Sequence, residues 1–503
     1  MLAIETHGNN AVRLTLLALV TAMLAGCGSG TSDPPELARY AHDWPAPGQS
    51  LNGARAVRGG PLTPKTVGWL AVRWRFRIPA QPRESGVLTA TPLVAGDTVF
   101  VQDMLSNVYA LDRETGAPRW SHRFGAGTPG PNGLALGYGR VFGSTDSVAF
   151  ALNARTGRLV WQQRLVSRIE TFVDIAPVVA NGLVYTATVG YTPGSRGALY
   201  ALDAHTGAVR WRFDTILGPW RFPAEAGGGG AWYPAAVDGD GRVYFGTANP
   251  TPWGGSPTHP NGGAFPGPAL YTDSLLVLDG ADGRLLWHYQ VTPHDIRDHD
   301  FEVTPILARA GGKDAVLGAG KGGRVIAWDR STHRPLWETS VGIHRNDAGP
   351  LPRRPVSVCP GLLGGVETPM AYAAGRLFVP VVDLCSRGSA TGYQDITTVD
   401  PTAGRGELVA LDAASGRRLW RRLLPQPVFG CATVAGGVVF TATFDGRVYA
   451  FDAADGATLW TARARAGINS CPAAAGDLLL VGAGSPYPGL KRPVYELVAY
   501  GLR

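Results

Sequence analysis

The sequence predicts an all-β protein, an eight-bladed β-propeller of four-stranded antiparallel blades, and three observations predict it. First, one unit recurs: Val108-Tyr109-Ala110-Leu111-Asp112 leads through Thr115-Gly116 to Trp120, and the same progression ends at Trp161, Trp211, Trp287, Trp337, Trp420 and Trp460. Self-similarity at such a period is the mark of blades or of solenoid turns. Second, 68 glycines, 39 prolines and 14 tryptophans stand among 503 residues, which suits short strands and tight turns rather than helices. Third, an eighth tryptophan, Trp74, stands alone near the N-terminus, while the C-terminus supplies strands at 477–481 and 496–500 with no tryptophan of their own. An N-terminal strand completing a C-terminal sheet closes a ring and removes both free edges, which an open solenoid leaves exposed.

Taken in order, the chain begins with Arg13 ahead of an apolar run at 14–25, too short to span a bilayer comfortably. The run ends in Leu24-Ala25-Gly26-Cys27. This resembles the bacterial lipoprotein signal, in which the cysteine is lipidated and becomes the mature N-terminus. The expected organisation is a signal at 1–26, a lipid on Cys27, a flexible tether and lead-in at 27–59, and one propeller at 60–503. The expected location is extracytoplasmic, lipid-anchored to a membrane in the periplasm or at the cell surface.

Such a location permits disulfides. With Cys27 used for lipid, Cys359, Cys385, Cys431 and Cys471 remain, and four cysteines allow three pairings. Cys431 lies 29 residues before Trp460 and Cys471 lies 29 before Tyr500, equivalent inner-strand positions of adjacent blades. The expected bridges are Cys431–Cys471 and, by what is left, Cys359–Cys385. None of the four has zinc-site spacing.

Within each unit an alternating strand pair, such as 436–446, precedes the apolar-x-Ala-Leu-Asp strand. Asp and Gly supply the turn conformations, and the tryptophan is a wedge between neighbouring sheets. Successive tryptophans from Trp74 are 46, 41, 50, 76, 50, 83 and 40 residues apart. The short intervals fit a bare blade; the long ones mark insertions at 212–232 with 250–272 and at 342–404, expected on the ligand-binding face. The formal net charge of +7 is carried almost wholly by scattered arginines, with four lysines in the chain and no basic run, so nucleic acid is not an expected partner.

Two stretches carry chemistry. Thr292-Pro293-His294-Asp295-Ile296-Arg297-Asp298-His299-Asp300-Phe301 gathers three carboxylates and two imidazoles in seven residues of a chain otherwise poor in charge. Gly227-Gly228-Gly229-Gly230-Ala231-Trp232 combines a run that lets backbone approach a flat ligand with an indole that offers a stacking face. Each has an ordinary alternative, a solvated acidic turn and a flexible loop with a core tryptophan.

From Asp43-Trp44-Pro45 to Tyr500 the chain resembles the pyrroloquinoline quinone (PQQ)-dependent alcohol dehydrogenases, a family of eight-bladed propellers. The resemblance rests on Asp43-Trp44-Pro45-Ala46-Pro47-Gly48 with Arg55, Pro61-Leu62 and 72–77, on Gly227 to Trp232, on Gly246-Thr247-Ala248-Asn249-Pro250, on 287–300, on Gly320-Lys321-Gly322-Gly323, and on 359–365 with 369–372. It implies that Trp232 stacks on the quinone beside Gly229 and Gly230, that Lys321 contacts the quinone oxygens, that Asn249, Asp298 and Asp300 hold Ca²⁺ or a lanthanide, and that Asp298 is the catalytic base. It also implies a small alcohol or polyol substrate and a soluble electron acceptor such as a cytochrome.

Departures from the family pattern fall at Thr192, where it has a glutamate metal ligand, at Asn132, where it has an arginine, and at Asp174, where it has a threonine. Glu367-Thr368 replaces an Asn-Trp pair, and both the vicinal cysteine pair and a haem motif are absent. His294 and His299 receive no role. A competing reading is a non-catalytic scaffold, similar to the lipoprotein propeller of the outer-membrane assembly machine. It accounts for tether, repeat and departures, but not for Trp232, Asn249, Asp298 and Asp300 occurring in family order.

Overall fold

The structure, a computed structural model, describes residues 32–80, 86–167, 171–192, 194–217, 226–262 and 267–503. The signal and Cys27 lie outside the described residues. Eight sheets of four or five strands carry the described chain. The first runs Leu93–Ala95, Thr98–Gln102, Val108–Asp112 and Pro118–His122, each strand beside the next and antiparallel to it. Its first three strands are largely buried, and its fourth turns one face to solvent. Strands buried on both faces read as near-continuous apolar runs, and the repeat's Val-Tyr-Ala-Leu is one. The last sheet joins Ala473–Ala475, Leu478–Ala483 and Glu496–Leu502 to the N-terminal Leu70–Arg77, with Val72 opposite Tyr500 and Arg77 opposite Glu496. Trp74 and the C-terminal strands thus share one sheet, as expected. The one α-helix among the described residues is Pro35–Arg39.

The repeated tryptophan has a more specific task than that of a wedge. Each indole N–H reaches a backbone carbonyl of the next unit: Trp74 to Arg113, Trp120 to Ala154, Trp161 to Ala204, Trp211 to Gly280, Trp337 to Ala413 and Trp420 to Ala453, at 2.7–3.3 Å. Trp460 donates to Leu70, back at the N-terminal strand. The ring then lies over the turn glycine of that next unit. At Gly116, φ is +71° and an added Cβ would stand 2.6 Å from the Trp74 ring. Glycine is therefore required twice over there, by conformation and by space. Trp287 meets His333 instead and stacks on it, with ring centroids 4.7 Å apart.

The segment expected to be tether and lead-in is anchored well before residue 60. Residues 44–56 hydrogen-bond in turn to strands of six sheets. Trp44 exchanges two bonds with Val94, and Pro45 O accepts from Leu136 N. Leu51 O, Asn52 O, Ala54 O and Arg55 O accept from Val237, Leu307, Tyr372 and Val434. Arg55 is the rivet. It is buried, packs over the Trp44 ring, and donates to Pro47 O, Ala432 O, Thr433 Oγ1 and Pro472 O. A guanidinium offers five donors in a rigid fork, which suits one side chain tying three chain segments together.

Both expected disulfides are formed, Cys359–Cys385 and Cys431–Cys471, with Cα–Cα distances of 4.5 and 4.9 Å. The first pins a small sheet of Val356–Val358, Ser386–Ser389 and Gly392–Tyr393 inside the 342–404 insertion. The second links the starts of two adjacent sheets. Peptide mapping without reductant is expected to recover both bridged pairs, and free thiols at these four positions would refute the pairing. Serine in place of Cys431 and Cys471 together is expected to cost about 2–4 kcal/mol of stability.

Candidate active site

The 291–305 loop connects Leu285–Gln290 to Ile306–Ala310, and Asp295 shapes its turn. Its buried carboxylate accepts from the backbone N–H of Arg297 and of His299, both at 2.8 Å. Arg297 reaches the other way and donates to Asn346 O at 2.9 Å and Gly349 O at 2.6 Å, which ties the loop to the 342–404 insertion. The turn leaves Asp298 in the left-handed region, φ +66°. Phe301 then pairs with Thr247, and Lys321 N donates to Asp300 O at 3.0 Å. Residues 300–301 are thereby held between two strand ends, those bearing Asn249 and Lys321. A Cβ on Gly320 would lie 2.0 Å from Asp300 O, so only glycine allows this approach.

Four of the expected residues are brought together. Lys321 Nζ donates to Asp298 Oδ2 at 3.1 Å and stands 2.7 Å from Asp300 Oδ2, an ion pair without hydrogen-bond alignment. Asp300 accepts the backbone N–H of Asn249 on its other oxygen. Trp232 makes none of these contacts. It lines a cleft with Arg55, Thr89, Asn132, Tyr233, Thr304, Pro369 and Cys471, and its indole N–H is buried without a partner. Phe172 lies beside it at 5.7 Å between centroids. A larger cavity, about 410 Å³ between 339–342 and Glu407 to Arg421, contains none of these residues.

What the glycine run approaches in the structure is protein. Gly229 N donates to Asn249 O at 2.8 Å, and a Cβ on Gly230 would lie 1.9 Å from Thr188 O. Gly229 and Gly230 thus set the position of Trp232 by letting three segments pack closely. Thr192 is exposed and closed in a turn on Ser195, 2.8 Å from Thr192 N to Ser195 Oγ. Asn132 is occupied by Asp103 O and Thr89 Oγ1. Asp174 is fully buried, accepts from Thr128 and leaves one oxygen without a partner.

The electrostatics add residues that sequence reasoning missed. Burial raises Glu302 well above the carboxylate range and pushes Glu367 up to about 8, both beside Lys321. Burial likewise lifts Asp295 to about 6 and Asp273 well above the usual range. Burial alone would lower the Lys321 ammonium, yet Asp298, Asp300, Glu302 and Glu367 outweigh it and hold it raised. Asp298 is raised too: burial, only partly offset by Lys321, pushes it up to about 7. Burial is the main cause, and the neighbouring Asp300 and Asp295 carboxylates add to it against the single opposing ammonium of Lys321. Desolvated carboxylates without countercharge take up protons. In the sequence, Glu367 was visible only as a departure, and Asp273 gave no signal.

A hard cation fits this donor set. The groups present are carboxylate and amide oxygens, the charge is uncompensated, and Asp300 Oδ2 and both Asp273 oxygens lack hydrogen bonds. No three acidic, imidazole or thiol side chains among the described residues already converge closely enough to hold an ion. The Lys321 ammonium bridges Asp298 and Asp300, so an ion binding there competes with it.

The fold is that of a PQQ-repeat β-propeller. Residues 104–344 and 360–487 match the family described as outer membrane protein assembly factor BamB, and residues 44–135 match the glucose/ethanol/alcohol dehydrogenase β-propeller domain. The quinoprotein alcohol dehydrogenase PedH of Pseudomonas putida is 27% identical over 520 residues, covering 86% of this chain and 84% of its own. A europium-containing methanol dehydrogenase superposes with a TM-score of 0.77 at 22% identity, over 93% of this chain and 99% of that one. BamB from Moraxella catarrhalis gives 0.56 at 14% identity, over 86% and 99%. The chain belongs to the PQQ-repeat β-propeller family of the longer match, and its dehydrogenase-model match and quinoprotein relatives make it similar to the PQQ-dependent alcohol dehydrogenases.

Proposed function

We propose that the protein is an extracytoplasmic quinoprotein alcohol dehydrogenase, lipid-anchored through Cys27, on an eight-bladed propeller whose ring is closed by Leu70–Arg77. The observation that carries the enzymatic reading is the convergence of Asp298, Asp300, Lys321 and the Asn249 strand end, with a surplus of buried carboxyl groups around them. Asn249, Asp298 and Asp300 would hold Ca²⁺ or a lanthanide, and Trp232 would stack on PQQ. When bound, PQQ supplies a two-electron acceptor for the hydride equivalent of the alcohol, and the cation polarises the reacting oxygens.

The chain's own residues do the rest. Asp298 takes the hydroxyl proton, and Lys321 holds a positive charge where negative charge develops on oxygen. Trp232, Pro369 and the Cys431–Cys471 bridge wall the cleft against water. The substrate class is a small alcohol or polyol, and the electrons leave to a soluble acceptor such as a cytochrome.

The test is the absorbance spectrum, metal content and dye-linked alcohol oxidation of the protein after incubation with PQQ and Ca²⁺ or a lanthanide. Bound quinone and turnover on some alcohol are expected. Trp232→Ala is expected to weaken PQQ by about 1 kcal/mol or more, several-fold in affinity, and equal affinity in mutant and wild type would remove Trp232 from the site. The longer family match, the one described as BamB, favours a second reading, a scaffold that binds neither quinone nor cation. Absence of PQQ binding and of activity over a broad alcohol panel would establish that reading instead.

A further inference from the structure

We propose that Asp273 is a third carboxylate ligand of the cation held by Asn249, Asp298 and Asp300. The inference rests on the cation site proposed above and adds to it a residue from a different segment.

Three observations carry it. Asp273 is completely buried, and neither carboxylate oxygen has a hydrogen-bond partner. The neighbouring Thr272 hydroxyl is already spent on Ala269 O at 2.8 Å. A buried carboxyl group without a partner is costly, and folds keep one only where something else compensates it. Second, its backbone is stitched to both segments that supply the other ligands. Asp273 N donates to Ala248 O at 3.1 Å, one residue before Asn249, and Val291 N donates to Asp273 O at 2.8 Å, at the start of the loop carrying Asp298 and Asp300. Third, after burial, the charges that raise the Asp273 carboxyl are those of Asp295, Asp300 and Asp298, so its surroundings are acidic. Meanwhile Thr192 is exposed and tied into its own turn. Asp273 would supply the missing negative charge, its carboxylate drawing in with those of Asp298 and Asp300, which do not already converge with it, as the ion competes with the Lys321 ammonium.

The alternative is a permanently protonated structural acid, and the two differ in metal binding. The experiment titrates the full chain, without PQQ, with Tb³⁺ and reads luminescence sensitised by the protein's aromatic residues, with Ca²⁺ as competitor. Thermal melting is measured with and without Tb³⁺. For Asp273→Asn and Asp273→Ser, Tb³⁺ affinity is expected to fall about tenfold or more. Their metal-free melting temperature is expected to equal or exceed that of wild type, because an uncompensated buried carboxyl has been removed, while the gain on adding Tb³⁺ shrinks. Asp300→Ala serves as the reference ligand mutant. If Asp300→Ala loses Tb³⁺ while both Asp273 variants bind like wild type, Asp273 is a structural acid and this inference fails alone. If wild type binds neither Tb³⁺ nor Ca²⁺, the inference falls together with the cation site.

Discussion

Asp298→Asn is expected to lower alcohol turnover by about 10²-fold or more while PQQ and cation remain bound. Asparagine keeps the volume and an amide oxygen, and the turn that holds residue 298 at φ +66° is made by the Asp295 carboxylate, which the substitution leaves in place. Asparagine is among the residues that tolerate this region. What it cannot do is accept the hydroxyl proton. Asp300→Ala is expected to differ, losing cation affinity first, and most for lanthanides. The assigned base is wrong if dye-linked oxidation survives Asp298→Asn.

The pH dependence has a definite sign. Without cation, the Asp298 carboxyl titrates at about 7, above its ordinary 3.8. A folded-state value that is raised contributes stability at acid pH, and that stability is lost as pH rises through 7. The metal-free protein should therefore melt lower at pH 8 than at pH 5, and Asp298→Asn should flatten the slope. An added cation favours the ionised form, so turnover should reach its plateau at a pH below 7. A turnover profile whose rise stays at 7 or above with saturating cation would argue that the ion does not contact Asp298.

Deleting residues 60–80 is expected to convert the protein to aggregates, the largest structural effect. The deletion removes Leu70–Arg77, which pairs along seven positions with Glu496–Leu502, and exposes that strand as a new edge. It also removes Trp74, whose N–H reaches Arg113 O, and Leu70 O, which accepts from Trp460. Both seams flanking the last sheet lose their tie together. An unpaired, apolar strand edge is a template for intermolecular pairing. A truncated protein that stays monomeric with unchanged melting would contradict the closed ring.

The repeat was legible because it is local. An Asp/Gly turn, a period-2 strand and a following tryptophan lie within about 13 residues, and each reports its own conformation without knowledge of the rest. The same holds for the lone Trp74 as a partner for the C-terminal strands, and for the cysteines, whose equal offsets within the repeat placed them at equivalent points of neighbouring sheets. The 294–300 cluster was legible as chemistry because polar residues were crowded in a chain poor in charge.

Only the tertiary structure decided the rest. That Lys321 bridges Asp298 and Asp300 depends on Gly320 admitting the Asp300 carbonyl, a contact across 20 residues. The glycine run reads locally as room for a ligand, but the space is taken by Thr188, Thr215 and Asn249. The direction of the Asp298 shift follows first from its burial, and burial is not a property of spacing. Asp273 follows one insertion with no motif around it, and Glu367, between two family-like stretches of the other, showed only as a departure. Residues 44–56 carry a family-like lead-in motif, but no side-chain pattern announces that their carbonyls are lent to six sheets. Sequence by itself determined the elements and their repetition, since these rest on contacts between near neighbours. Burial, countercharge and the occupants of each gap were decided by residues on different segments, and those quantities exist only once the sheets are assembled.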